Sequence, residues 1–203
     1  MKPSAIVFGC SGQDGSYLSK SLLDKGFEVI GTSRKNKPNL QRLETLGIKE
    51  KIQVISCDLE SFDQTRKIIK EINPKEIYNL SAQSSVGKSF ENPVGTHKSI
   101  VDATLNILES CREIAFTGNI FFAGSSEIFG HTKTPADINS KIDLRSPYAT
   151  AKYQSFLLSK LYRNIYNINC VTGILFNHES VLRDNNFIVK KVIIEAVKIK
   201  NKT

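Results

Sequence analysis

Apolar positions along the chain follow two rhythms in turn. Six short runs, Ala5–Phe8, Phe27–Thr32, Ile52–Ser56, Ile77–Leu80, Ile120–Ala123 and Cys170–Leu175, carry few charges and are rich in β-branched and aromatic residues. Runs of this length and composition predict strands covered on both faces. Between them the apolar residues fall three and four apart, which predicts helices. One runs from the residues after Gly15 to Lys25-Gly26, and a short one covers Asn39–Leu46. Another follows the capping pattern Ser61-Phe62-Asp63-Gln64, carries Ile68, Ile69 and Ile72 as its apolar stripe, and stops at Pro74. Pro93 opens a long helix to about Glu113, with Ile100, Leu105, Ile107 and Leu108 as its core contacts. Pro147 opens another to about Tyr166, and a basic amphipathic helix runs from Phe187 to about Lys200. Strands alternating with helices predict an α/β fold, a doubly wound parallel sheet of about six strands with helices on both faces, as one domain over residues 1–203.

The breaks between these runs carry the first chemistry. Ala5–Phe8 gives way to Gly9-Cys10-Ser11-Gly12-Gln13-Asp14-Gly15 and then to a helix. Glycines there let the backbone turn sharply and approach a phosphate, and the free N–H groups of the helix N-terminus suit a pyrophosphate, so the sheet is read as Rossmann-type. The spacing is Gly-x-x-Gly-x-x-Gly, not Gly-x-Gly-x-x-Gly, but the loop has the strand before it and the helix after it that such a site requires. Past the second strand stand Ser33-Arg34-Lys35-Asn36, where an acidic residue would bind ribose hydroxyls and a basic one accommodates a 2′-phosphate; the expected cofactor is therefore NADP, the alternative being a basic loop with no ligand. Asp58 stands where the third strand opens into a loop, and the small polar run Ser81–Gly87 after the fourth lets a ligand approach closely.

Composition narrows the classes. The net charge of +8 comes from lysines and arginines spread along helices and loops, with no aromatic-interleaved basic motif, so nucleic acid is not expected as a partner. No apolar run approaches the roughly 20 residues of a membrane span, and Met1-Lys2-Pro3-Ser4 leads directly into a strand, so no membrane partner and a cytoplasmic address are expected. Cys10, Cys57, Cys111 and Cys170 are scattered without paired spacing and are read as buried side chains, with no metal site expected.

Tyr148 and Lys152 are spaced i, i+4 and so share a helix face, where an ammonium near a phenol would lower the phenol's pKa and make it a base. Ser125 can bond the same substrate hydroxyl, and Glu127 adds a carboxylate for a second proton. A tyrosine packed on the core, a solvated lysine and a polar loop remain the plainer account of these residues.

With these residues in view, the chain resembles the extended short-chain dehydrogenase/reductase family and, within it, the GDP-mannose 4,6-dehydratases. The resemblance runs from end to end through Gly9–Leu18, Ala82-Gln83-Ser84, Ser125-Ser126-Glu127, Arg145-Ser146-Pro147-Tyr148 with Lys152, and Leu175-Phe176-Asn177-His178-Glu179-Ser180. It implies catalysis by Ser125, Glu127, Tyr148 and Lys152. It implies cofactor contacts from Gly9, Gly12, Gln13, Asp14, Gly15, Arg34, Asp58, Leu59, Leu80, Ala82, Ser84, Tyr148, Lys152 and His178, and substrate contacts from Ser84, Ser126, Asn177 and Arg183. The implied reaction is a redox-neutral dehydration in which Tyr148, helped by Ser125 and Lys152, takes the C4 hydroxyl proton, Glu127 takes the C5 proton, and hydride moves from C4 to C6 by way of NADP. GDP-mannose or a related nucleotide sugar is the implied substrate, and a homo-oligomer the implied assembly. Cys10-Ser11 and Val181-Leu182-Arg183-Asp184 depart from the family pattern, and the family continues past this length with a lobe that closes over the substrate, so a truncated member is expected to bind NADP but dehydrate poorly or not at all. Two rivals stay open: an idle cofactor-binding module, and an epimerase or 4-keto reductase of a related nucleotide sugar, against which Glu127 argues because neither chemistry needs a C5 base.

Overall fold

The computed structural model describes residues 2–201. β1 (Ser4–Phe8) leads through the glycine loop into α1 (Gln13–Asp24), and β2 (Glu28–Ser33) is followed by the short α2 (Gln41–Thr45). β3 (Gln53–Ser56), α3 (Phe62–Ile72) and β4 (Glu76–Asn79) come next. α4 (Val86–Glu91) and α5 (Pro93–His97) then lead through a π-helical turn at Lys98–Asp102 into α6 (Ala103–Glu113). β5 (Asn119–Ala123), a 3₁₀ turn at Ser126–Phe129, α7 (Pro147–Tyr166), β6 (Cys170–Gly173) and α8 (Ile188–Asn201) complete the order. The six strands form one parallel sheet in the order β3-β2-β1-β4-β5-β6, with Ile6 level with Ile30 on one side and Ile77 on the other.

Alternation along the strands divides the core between the two faces. Ile6 and Phe8 of β1 join Ile77 of β4, Ile120 and Phe122 of β5, and Ile69, Ile107 and Leu108 from α3 and α6. Ala5 and Val7 point the other way, toward Val29, Leu22 of α1 and Leu43 of α2. Apolar side chains on both faces explain why the strands read as continuous runs. All four cysteines are buried thiols, and burial pushes Cys10 and Cys57 each up to about 11.

Three details differ from the sequence reading. Leu105 is exposed, because the buried stripe of this helix runs through Ile100, Thr104, Ile107, Leu108 and Cys111, and Leu105 falls beside it. α4 occupies Val86–Glu91, starting inside the small polar run Ser81–Gly87 and continuing through residues for which the sequence pattern predicts no element; Ser85 caps it by accepting from Lys88 N at 3.3 Å. Ser61 caps α3 by accepting from Gln64 N, but the Gln64 side chain accepts from Asp58 N at 3.1 Å, so only half of the expected reciprocal box forms and the other half pins the loop after β3. Among the described residues, no helix is long and apolar enough to cross a membrane. None of the α8 residues is buried, and its Ile188, Val192, Ile193 and Ile199 are exposed.

Candidate active site

The carboxyl ends of β1 to β4 open into a cleft of about 620 Å³, within the range of ligand sites. It lies where the strand order reverses, between β1 and β4, the place at which doubly wound sheets bind ligands. Of the expected cofactor residues, Gly9, Gly12, Arg34, Asp58, Leu59, Leu80 and Ala82 line it.

Close packing explains the glycines. Gly9 takes φ +85°, and a Cβ there would stand 2.8 Å from Ser81 N, so the loop lies directly against the end of β4. At Gly15 a Cβ would overlap the Gly9 carbonyl oxygen, so α1 abuts the loop. Gly12 is the N-cap of α1, with no side chain capping the helix. The first N–H groups therefore stay free for an anion, which is what a pyrophosphate needs. Ser16 Oγ donates to Gly12 O at 2.7 Å and Cys10 O at 3.0 Å, fixing the turn from within. Ala82, facing the same cleft, takes φ 146°, an unfavourable backbone for a residue with a Cβ, of the kind that gathers at ligand sites. Free N–H groups, a glycine wall and Arg34 at the rim fit a dinucleotide.

The expected catalytic residues sit at the end of β5 and the start of α7. Ser146 caps α7 by accepting from Ala149 N at 3.0 Å, and Pro147 occupies the first turn, so Tyr148 and Lys152 enter the sheet edge on one rigid face. The π-helical turn before α6 helps hold that helix: Ile100 O accepts from Thr104 Oγ1 at 2.7 Å and from Ser155 Oγ of α7 at 3.2 Å. Ser125 begins the turn that carries Glu127 and accepts from Glu127 N at 3.2 Å. Burial pushes the Tyr148 phenol above its ordinary value; the nearby Ser125 hydroxyl opposes this, and the Glu127 carboxylate adds to it. Lys152 Nζ donates to Ala123 O at 2.8 Å and lies 5.7 Å from the Tyr148 ring centroid, while burial pulls its own pKa down to about 8. The expected lowering of the phenol by Lys152 is thus not what this arrangement gives, because the ammonium is turned onto the β5 carbonyl and desolvation dominates both groups.

The remaining expected residues lie outside the cleft lining. Gln13 and Asp14 are occupied by the segment after β6: Ser180 Oγ donates to Gln13 Oε1 at 2.9 Å, and His178 Nε2 meets Asp14 Oδ1 at 2.7 Å. Ser84 and Asn177 are exposed. Ser126 is tied through its backbone N–H to Leu175 O at 2.9 Å. Arg183 stacks its guanidinium 3.5 Å from the Phe187 ring centroid and faces Glu179 at 3.4 Å.

Two side chains went unnoticed in the sequence. Arg42 of α2 donates from Nε to Leu182 O at 2.9 Å and from Nη1 to Ser11 O at 3.2 Å, and pairs with Asp184 at 3.6 Å, fastening the segment after β6 to the glycine loop. Glu60, from the loop after β3, lines the cleft 3.4 Å from Arg34. Neither stands in a periodic pattern or a motif, so no local signal marks them.

Comparison with known proteins agrees with this geometry. A family model described as GDP-mannose 4,6 dehydratase matches residues 6–203. GDP-mannose 4,6 dehydratase 2 of Arabidopsis thaliana is 38% identical over 199 residues, 93% of this chain and 53% of that protein. The human GDP-mannose 4,6 dehydratase is 36% identical over 207 residues, 96% of this chain and 55% of that one. The chain thus spans about half the length of these relatives. Among solved structures, a UDP-N-acetylglucosamine 4-epimerase from Methanobrevibacter ruminantium superposes with a TM-score of 0.86 at 24% identity, over 98% of this chain and 64% of that one. A dTDP-glucose 4,6-dehydratase from Streptomyces venezuelae does so with 0.85 at 17% identity, over 96% and 62%. These two likenesses show the fold alone; the sequence match along nearly the whole chain shows more, and by it this chain belongs to the GDP-mannose 4,6-dehydratase family.

Proposed function

We propose that the chain acts in the NADP-dependent conversion of GDP-mannose to GDP-4-keto-6-deoxymannose. The observation that carries this reading is the place of Ser125: it caps the turn bearing Glu127, and its hydroxyl lies close enough to the Tyr148 phenol to act on it, so two proton-transferring groups flank one serine at the end of β5. A dehydration that takes one proton from the C4 hydroxyl and a second from C5 needs such a pair, whereas epimerisation does not need the carboxylate. NADP, when bound, supplies hydride acceptance at C4 and its return at C6. Tyr148 takes the C4 hydroxyl proton, with Ser125 orienting that hydroxyl, and Lys152, anchored on Ala123 O, fixes the wall beside them. Glu127 takes the C5 proton once the ketone has made it acidic and passes it to the C6 hydroxyl, which leaves as water, and a proton equivalent to the one taken by Tyr148 returns to C5 as the hydride returns to C6. The first residues of α1, from Gln13 onward, offer N–H groups to the pyrophosphate, the Gly12 N–H itself donating to Gly9 O at 3.0 Å, and Arg34 favours a 2′-phosphate.

A homo-oligomer and a cytoplasmic address belong to the same reading. Leu157, Leu161 and Ile165 form an exposed stripe on α7 that a second copy would cover, so Leu161→Glu should lower the mass seen by light scattering. The central test is incubation with NADP and GDP-mannose followed by mass spectrometry: because the chain spans about half the length of its relatives, loss of one water is expected only slowly, and binding of NADP without any product would favour the idle cofactor-binding module.

A further inference from the structure

If the cleft holds a dinucleotide as proposed above, the acid that the end of β2 lacks comes from the neighbouring strand. We propose that Glu60 is a specificity-determining residue of this cleft, holding the preference for NADP over NAD below what Arg34 alone would confer.

The sheet register brings the two side chains together. β2 and β3 run parallel with Ser33 level with Ser56, and Cys57 N donates to Ser33 O at 2.9 Å, so the loops that follow leave the sheet side by side. Glu60 N donates to Asp58 Oδ1 at 3.1 Å, which fixes the turn and sends the Glu60 carboxylate back across the cleft rim to Arg34 Nη1. Arg34 is mostly exposed and Glu60 about one third exposed, and both line the cleft.

A carboxylate and a guanidinium at one ribose position act in opposite senses. The carboxylate accepts hydrogen bonds from a 2′,3′-diol and repels a phosphate dianion; the guanidinium attracts the phosphate and gains little from the diol. A 2′-phosphate must draw Arg34 away from Glu60 and then stand beside an uncompensated negative charge. A diol can bond Glu60 while Arg34 stays paired. The pair therefore admits both dinucleotides and narrows the gap between them.

Calorimetric titration of NADP and NAD against the unchanged protein, Glu60→Gln and Arg34→Ala tests this, since both residues are surface groups whose loss leaves the core intact. Glu60→Gln should raise the ratio of the NAD to the NADP dissociation constant about five- to tenfold, mostly through tighter NADP, and Arg34→Ala should lower it by a similar factor. A ratio unmoved by Glu60→Gln while Arg34→Ala shifts it would overturn the role of Glu60 and leave the dinucleotide reading standing. Failure of the unchanged protein to bind either cofactor would overturn both.

Discussion

His178 Nε2 stands 2.7 Å from Asp14 Oδ1 while His178 Nδ1 stands 2.7 Å from Phe176 O, so both ring nitrogens face acceptors. Only the imidazolium, with two N–H groups, satisfies both. Its pKa is accordingly raised, first by the bond to the Phe176 carbonyl and then by Asp14. A raised folded-state pKa adds stability that is fully present below the unfolded value near 6.5 and is lost as pH rises through the higher folded value. Because the ring is about half exposed, we expect only a few tenths of a kcal/mol. Denaturant titrations of the unchanged protein and His178→Gln should differ at pH about 6 and coincide at pH about 9; a constant difference would show that the charge plays no part.

Arg42 joins three elements, α2, the glycine loop and the segment ending at Asp184, through Leu182 O, Ser11 O and the Asp184 carboxylate. Arg42→Met keeps most of the stem and removes every polar contact. A loss of about 1–2 kcal/mol is expected, less than the sum of the contacts because the side chain is partly solvated, and this lowers the melting temperature by roughly 2–8 °C. Hydrogen exchange should quicken at both Gly12–Asp14 and Leu182–Asp184. Quickening at only one of them would mean that Arg42 does not couple the two segments.

Cys10 and Gly31 fill one space between them. A Cβ on Gly31 would overlap the Cys10 Sγ and lie 2.8 Å from its Cβ, while Cys10 Sγ donates to Thr32 O at 3.6 Å. Gly31→Ala should therefore cost about 1–3 kcal/mol through overpacking, and adding Cys10→Ala should recover part of that loss instead of adding to it. Chemical denaturation of the four members of the cycle decides the matter: strict additivity would mean that the two residues do not share the space.

These examples show which parts of the molecule were legible in its sequence. β1, β2, β4 and β5 were readable because strands inside a covered sheet become apolar runs, the half-covered edge strands β3 and β6 because they keep Val54, Ile55, Cys170 and Val171, and α7 because Ser146-Pro147 marks its start. The Gly9–Gly15 loop was readable because its chemistry is local. Arg42 and Leu182, 140 positions apart, meet only through the fold, and Glu60 reaches Arg34 only because β2 and β3 are neighbours. α4 escaped because its cap, Ser85, sits in a run of small polar residues that reads as loop. The sign of the Tyr148 shift escaped for another reason: i, i+4 spacing puts Lys152 on the same face but says nothing of Ala123 O, which takes its ammonium.

Lys152 offers a second pH test with the opposite sign from His178. Its pKa falls from an ordinary 10.5 to about 8 because burial penalises the ammonium. Between these values the unfolded chain binds more protons than the folded one, so stability contributed by this site rises with pH from about 8 to about 10.5. Relative to Lys152→Met, the unchanged protein should gain up to about 3 kcal/mol across that window. A difference that stays flat would place the lysine's titration outside it.

The division of labour between Tyr148 and Glu127 gives the last prediction, and it rests on the proposed dehydration. Glu127→Gln keeps the length and hydrogen-bonding capacity of the side chain, and because Ser125 receives its bond from the Glu127 backbone N–H, the turn itself is preserved. This variant can still lose the C4 hydroxyl proton to Tyr148, so the absorbance of a reduced nicotinamide should build up while no water is lost from the sugar. Tyr148→Phe removes the phenol that Ser125 contacts and should abolish that absorbance. General-base catalysis contributes about 10²- to 10⁴-fold, so each variant should fall by that factor in overall turnover while Glu127→Gln binds NADP as before. Deuterium uptake at C5 from heavy water separates the two roles: it should disappear in both variants, in Glu127→Gln for want of the base and in Tyr148→Phe for want of the ketone. Persistent uptake in Glu127→Gln would assign the C5 proton to another group.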